Sequence, residues 1–195
     1  MLKIIAGSAR GIRLETPENR AMRPTSGKGR EALFSSLGPI AGLTFADVFA
    51  GSGAVGLEAA SRGAARVIFV EENAAHCRMI GRNAARVRRA GAEFRDDILC
   101  RGFSPALLCM LPAADIWFFD PPYAESARFF AMLEAAALDA PCFRPGALLI
   151  WELPDTAEAM RGFAGSGLFG GGKIRELGGV GFFSLRLGET AERTP

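Results

Sequence analysis

The chain has 195 residues, 49% of them hydrophobic, and a formal net charge of +2. This length suits one domain with a substantial core, and the hydrophobic share excludes a disordered chain. So small a net charge does not announce a nucleic-acid binder, and any electrostatic argument rests on where the charges lie.

They lie unevenly. Between Met1 and Ser36 seven basic residues face three acidic ones, a net +4 that predicts a basic face on the first segment. The four cysteines, Cys77, Cys100, Cys109 and Cys142, have no paired spacing, and His76 is the only histidine. That inventory argues against a metal site or a disulfide framework and leaves reduced thiols as the expectation. Met1 is followed by a strand-like segment, and no apolar run reaches membrane-spanning length, so the sequence predicts a soluble, cytoplasmic protein.

Leu2 to Gly7 and Ile12 to Thr16 flank Ser8-Ala9-Arg10-Gly11, which predicts two short strands about a polar turn. Met22-Arg23-Pro24-Thr25-Ser26 is a breaker with two N-cap candidates, and a helix is predicted from Gly27 to Leu37, stopping at Gly38-Pro39. Gly27 and Gly29 weaken its first turns by about 1 kcal/mol each relative to alanine. Residues 1–39 thus read as a hairpin and helix extension, 40–188 as the main domain and 189–195 as a loose polar tail.

From Leu43 the pattern becomes strand, crossover helix, strand, repeated, the sequence form of a doubly wound, mostly parallel α/β sheet. Strands are predicted at Thr44 to Phe49, Arg66 to Val70, Ala92 to Arg95, Ile116 to Phe119 and Ala147 to Trp151. The helices between and after them are Ala54 to Arg62, Ala74 to Ala90, Pro105 to Leu111, Phe129 to Leu138 and Ala157 to Phe163. Lys173 to Leu177 and Val180 to Leu187, among glycine-rich turns, predict a closing antiparallel hairpin that makes seven strands. Arg78, Arg82, Arg86 and Arg89 recur every three or four residues on one helix. A solvated face is the ordinary meaning of that spacing, and RNA contact is the alternative.

Asp47-Val48-Phe49-Ala50-Gly51-Ser52-Gly53-Ala54-Val55-Gly56 sets three glycines directly after a strand and at the opening of a helix, the pattern of a nucleotide-binding loop. Glu71 lies 20 residues after Gly51, at the end of the next strand, where a carboxylate accepts ribose hydroxyls. Asp97, predicted to end the third strand, is the candidate for an adenine amino group. Tight turns and solvated strand ends would explain each residue singly. Their fall at successive strand ends points to one crevice at the carboxyl edge of the sheet, shared with Asp120.

Asp120 follows a short, wholly apolar run, Ile116-Trp117-Phe118-Phe119, suited to a strand buried on both faces. Pro121 and Pro122 hold the chain extended and supply no N–H. What remains is a patch of acceptors, the Asp120 carboxylate and the Pro121 carbonyl, with the ring of Tyr123 just beyond. An exocyclic amine of a nucleobase needs both, acceptors for its two N–H groups and a face to stack on. The alternative is a turn after a core strand.

On these residues the chain resembles the class I S-adenosylmethionine-dependent methyltransferases, and Asp120-Pro121-Pro122-Tyr123 looks like their amino-methyltransferase motif. More narrowly it resembles the bacterial 16S ribosomal RNA guanine-N2 methyltransferase family. That resemblance rests on Ile4-Ile5-Ala6-Gly7 with Arg10-Gly11, on Arg23-Pro24-Thr25, and on Arg30-Glu31-Ala32-Leu33-Phe34. Phe49-Ala50-Gly51-Ser52-Gly53 with Gly56-Leu57-Glu58 continues it. Two stretches depart from the family pattern, Gly27-Lys28-Gly29 in the first helix and Trp151-Glu152-Leu153 after the fifth strand.

The resemblance implies a Rossmann-like fold and methyl transfer from S-adenosylmethionine, leaving S-adenosylhomocysteine, to the N2 amine of a guanine in 16S ribosomal RNA, at position 966. It implies the small ribosomal subunit as partner, with no obligate protein partner, metal or membrane. Asp47, Phe49, Gly51, Ser52, Gly53, Glu71 and Asp97 would hold the cofactor, and Asp120, Pro121, Pro122 and Tyr123 the reacting base. Arg10, Arg23, Thr25 and Arg30 would contact RNA. Three other readings remain: an amino-methyltransferase of DNA adenine or another RNA, a nicotinamide-dependent oxidoreductase, and a non-catalytic RNA-binding factor. The first lacks an added recognition domain. The second leaves Asp120 to Tyr123 unexplained, and retention of Asp120 and Tyr123 speaks against the third.

Overall fold

The computed structural model describes residues 2–17, 27–137, 142–153 and 172–188, which fall into two compact units, Met1–Phe103 and Ser104–Pro195. The predicted helix from Ala157 to Phe163, the Arg23-Pro24-Thr25 segment and the tail lie outside the described residues.

In the first unit helix α1 (Gly27–Leu37) is followed by β1 (Thr44–Val48), α2 (Ala54–Ser61), β2 (Arg66–Glu71), α3 (Ala74–Arg89) and β3 (Arg95–Cys100). The strands are parallel in the order β3-β2-β1, with Asp47 opposite Phe69 and Glu71 opposite Cys100. Phe45, Ala46, Val67, Ile68 and Phe69 are fully buried, as expected where helices cover a parallel sheet. Asn73 caps α3, its side chain accepting from the Ala75 amide at 2.8 Å.

One predicted strand is displaced. β3 runs from Arg95 to Cys100 rather than from Ala92 to Arg95, so Asp96 and Asp97 lie inside it. It is the edge strand, and charged side chains there stay partly in water, which is why the two aspartates do not end it.

The amino-terminal hairpin is a backbone-paired loop with a single Lys3–Arg13 bridge rather than two full strands. Two groups on α2 hold it. Glu58, with no exposed surface, accepts the Ile5 amide at 2.8 Å, the Ala6 amide at 3.0 Å and the Arg62 guanidinium at 2.9 Å. Ser61 donates to the Ala6 carbonyl at 2.6 Å and accepts the Ala9 amide at 3.0 Å. Gly7 has φ +84°, and a Cβ there would lie 1.8 Å from the Ser61 carbonyl oxygen, so only glycine allows this approach.

The second unit contains α4 (Pro105–Leu108), β4 (Ala114–Phe119), α5 (Ser126–Ala137), β5 (Phe143–Leu153), β6 (Lys173–Leu177) and β7 (Val180–Arg186). β4 and β5 are parallel, β7 runs antiparallel to both β5 and β6, and the order is β4-β5-β7-β6. Trp117, Phe118 and Phe119 are fully buried, as an apolar strand between neighbours requires. Trp151 stacks on Phe119 at 5.1 Å and donates its indole N–H to Ser126 Oγ at 2.9 Å, which ties β4, β5 and the start of α5 together. Three strands in one unit and four in the other give the predicted seven. No described helix is long and apolar enough to cross a membrane.

Candidate active site

In the first unit the glycine loop leaves β1 through an unusual backbone. Phe49 has φ 67°, the one non-glycine residue with positive φ among the described residues, and Gly51 and Gly53 follow at 56° and 75°. A bulky residue held in that region is strained, and such strain gathers at ligand sites. Glu71, at the end of β2, holds the loop, its Oε2 accepting the Gly51 amide at 2.8 Å. Its Oε1 accepts the Asn73 amide at 2.8 Å and lies 3.3 Å from His76 Nδ1. A carboxylate has about four acceptor positions, so these partners leave room for about one more. The predicted pair of ribose hydroxyls is therefore more than Glu71 can take with its present partners kept.

Asp47 sits below the loop. It is 2% exposed and accepts the Gly56 amide, at the first turn of α2, at 2.8 Å. Burial pushes its carboxyl up to about 7; the Gly56 hydrogen bond opposes this, Glu71 adds to it, and Arg30 opposes it. Asp47 thus supports the loop from inside. Ser52 is also buried, and its carbonyl accepts from Asn83 Nδ2 at 3.1 Å.

Asp97 is not at the carboxyl edge with Glu71. It pairs with Arg66 Nε at 2.6 Å and stands opposite Ile68, three residues short of Cys100 at the end of β3. Sequence reading missed Phe103, which is nearly buried and whose ring lies 5.4 Å from that of Phe49. No periodic pattern marks an aromatic residue three positions beyond an edge strand.

Arg30 requires a correction. It is 2% exposed, donates from Nη2 to the Lys3 carbonyl at 3.0 Å, and its Nε and Nη1 are buried without a hydrogen-bond partner. Its charge faces Glu58 and Asp47, and burial lowers its pKa. A side chain so placed serves the fold and cannot reach an RNA phosphate. Arg10 is exposed at the hairpin turn, as predicted.

In the second unit Pro121 is buried, Pro122 is exposed at φ −51°, ψ 129°, and a 3₁₀ turn from Tyr123 to Glu125 leads into α5. Tyr123 is 43% exposed, one of two large apolar side chains so placed among the described residues. Its hydroxyl donates to Glu152 Oε1 at 3.4 Å. Glu152, missed as a site residue, is 3% exposed at the end of β5. Phe119 stands opposite Trp151, so Asp120, just past the end of β4, follows a residue that is level with the neighbour of Glu152 in β5. The signal in the sequence was a carboxylate inside an apolar run. Together these residues offer acceptor groups, donor-free prolines and an exposed ring anchored through its hydroxyl. No group of three or more His, Cys, Asp or Glu able to hold a metal occurs among the described residues.

A seven-stranded α/β fold with a glycine loop after β1 and an Asp-Pro-Pro-Tyr turn after β4 is the Rossmann-like fold of the class I methyltransferases. An RNA methyltransferase from Salinibacter ruber, solved with S-adenosyl-L-homocysteine, shares this fold at a TM-score of 0.57 and 12% identity over 88% of this chain and 97% of that one. A hypothetical protein of Thermus thermophilus, of known structure, is similar over 96% of this chain and all of that one, with a TM-score of 0.71 and 29% identity. Among curated proteins, Ribosomal RNA small subunit methyltransferase D of Escherichia coli is 40% identical over 93 residues, 47% of each chain. The matched region spans about half the length of that relative. The family described as conserved hypothetical protein 95 matches residues 2–170, and the chain belongs to it.

Proposed function

We propose that this protein transfers a methyl group from S-adenosylmethionine to the exocyclic N2 amine of a guanine in small-subunit ribosomal RNA. The observation that carries the reading is the Asp120–Tyr123 turn, an acceptor-only patch at the end of a buried strand followed by an exposed ring whose hydroxyl is held by a buried carboxylate. The names of the curated relatives support ribosomal RNA as the substrate class, and the motif supports an amine as the acceptor.

The loop residues Phe49, Gly51, Ser52 and Gly53, with Asp47 beneath them, fit a nucleoside, because positive-φ backbone and the acceptor position left on Glu71 suit a close-packed ribose. Phe49 and Phe103 supply an aromatic pair for its base. Asp97 keeps a cofactor role only by leaving Arg66. When bound, S-adenosylmethionine supplies a methyl made electrophilic by its sulfonium.

The N2 lone pair of guanine is delocalised into the ring and is a poor nucleophile until the nitrogen bends toward tetrahedral. Asp120 and the Pro121 carbonyl accept its two N–H bonds, aim the lone pair and stabilise the positive charge that develops. Tyr123 stacks on the extruded base, with Glu152 fixing its angle. Arg10, Arg23 and Thr25 belong to the RNA side, where phosphate contacts position the substrate.

Asp120→Ala tests the assignment. Calorimetry with S-adenosylmethionine and a turnover assay on one preparation should show cofactor binding kept and transfer lost. Turnover near the wild-type rate would remove Asp120 from the mechanism.

A further inference from the structure

The arginine face of α3 takes no part in the scheme above. Arg78, Arg82, Arg86 and Arg89 are exposed and, with Glu15 and Gly81, line one groove of about 520 Å³. Helix geometry aligns them, since residues three and four apart share a face and four residues advance about 6 Å. Four guanidiniums stand against one carboxylate, a net +3 along the groove.

Glu15 acts there as a brace. Its carboxylate lies 2.8 Å from Arg82 Nη2 and 2.6 Å from Arg86 Nη2, and the Arg82 hydrogen bond holds its carboxyl below the ordinary value. Glu15 is fixed in turn by fully buried Asn83, which accepts its amide at 2.8 Å and donates to its carbonyl at 3.1 Å. Arg78 and Arg89, toward the two ends, have no carboxylate partner among the described residues; Arg89 donates only to the Ala85 carbonyl of its own helix. The same Glu15–Asn83 contact ties the hairpin, which carries exposed Lys3, Arg10 and Arg13, to α3.

The groove has no aromatic lining and therefore nothing on which to stack a base. It offers rigid guanidinium forks to an anion that repeats along its length. We propose that this face of α3 is a docking track for the phosphate backbone of folded RNA, positioning the substrate without reading its sequence. The proposal rests on the RNA-methyltransferase reading and extends it to a second surface.

The test uses the full chain, a small-subunit ribosomal RNA transcript, and a salt titration of binding for wild type, Arg78→Ala/Arg89→Ala and Arg78→Lys/Arg89→Lys. The alanine pair should lower the log–log salt slope by about 1.5, two contacts at about 0.7 to 0.9 each, while the lysine pair keeps it. Cofactor affinity should stay unchanged in both. An unrelated duplex RNA should lose as much binding, because the track reads no bases. An alanine pair with wild-type affinity and slope, in an enzyme that still methylates small-subunit particles, overturns the track and leaves the function intact. Loss of cofactor binding in the alanine pair would make the face structural and overturns it too. A wild-type enzyme that transfers no methyl to those particles overturns both.

Discussion

Glu71 Oε2 accepts the Gly51 amide at 2.8 Å, so the acidic end of β2 fixes the conformation of the glycine loop that leaves β1. One carboxylate thereby shapes the loop and retains a position for a ligand hydroxyl. Glu71→Ala should weaken S-adenosylmethionine binding by about 1.5 to 3 kcal/mol, the range for hydrogen bonds to a charged group. Calorimetry decides the matter, and an unchanged dissociation constant would make Glu71 a loop brace alone.

Tyr123 and Glu152 form the corresponding pair in the second unit. Tyr123→Phe keeps the stacking ring and loses the anchor, at a cost of about 0.5 to 1.5 kcal/mol, so turnover should fall by a factor of roughly 2 to 13. Tyr123→Ala removes the ring and should cost more, since stacking of a base on an aromatic side chain contributes about 1 to 3 kcal/mol. Equal rates for the two variants would show that the ring does no stacking.

Asp47 gives a pH prediction. Its carboxyl titrates near 7 in the folded chain and near the usual 3.8 when unfolded. Between these values the folded state keeps a proton that the unfolded state releases, so this group's contribution falls as pH rises from about 4 to 7 and then levels. Asp47→Asn stays neutral and retains an acceptor for the Gly56 amide. Denaturant titrations across this window should give a flatter pH profile for the variant; an identical profile would show that Asp47 is ionised in the folded protein.

Much of this was legible because the elements are strongly patterned. The apolar run before Asp120, the glycines after β1 and the charged–apolar repeat of α3 each select one secondary structure. β3 was not legible, since an edge strand carries charges that read as its end. Arg30 misled for a related reason, because a basic residue in a basic segment looks exposed, whereas its burial comes from the hairpin folding back to place the Lys3 carbonyl over it. Glu58 shows the opposite case. It was visible only as part of a familiar string, and the structure gives it a physical task, closing two hairpin amides.

Arg10 and Arg23 carry what remains of the amino-terminal RNA assignment. Changing both to alanine should lower the salt slope of RNA binding by about 0.7 to 0.9 per lost phosphate contact and leave cofactor affinity alone. Arg30→Ala should instead lower thermal stability, because it empties a buried site that packs against the hairpin. A stable Arg30→Ala protein with weakened RNA binding would reverse that division of roles.

The central claim is the transfer of a methyl to a guanine amine, and nucleoside analysis tests it most directly. Small-subunit particles from cells lacking the enzyme would be incubated with methyl-labelled S-adenosylmethionine and either wild type or Asp120→Ala, then digested and the labelled nucleoside identified. The account predicts N2-methylguanosine with wild type and no label with Asp120→Ala. Label on adenine, or equal label from the two proteins, would contradict it.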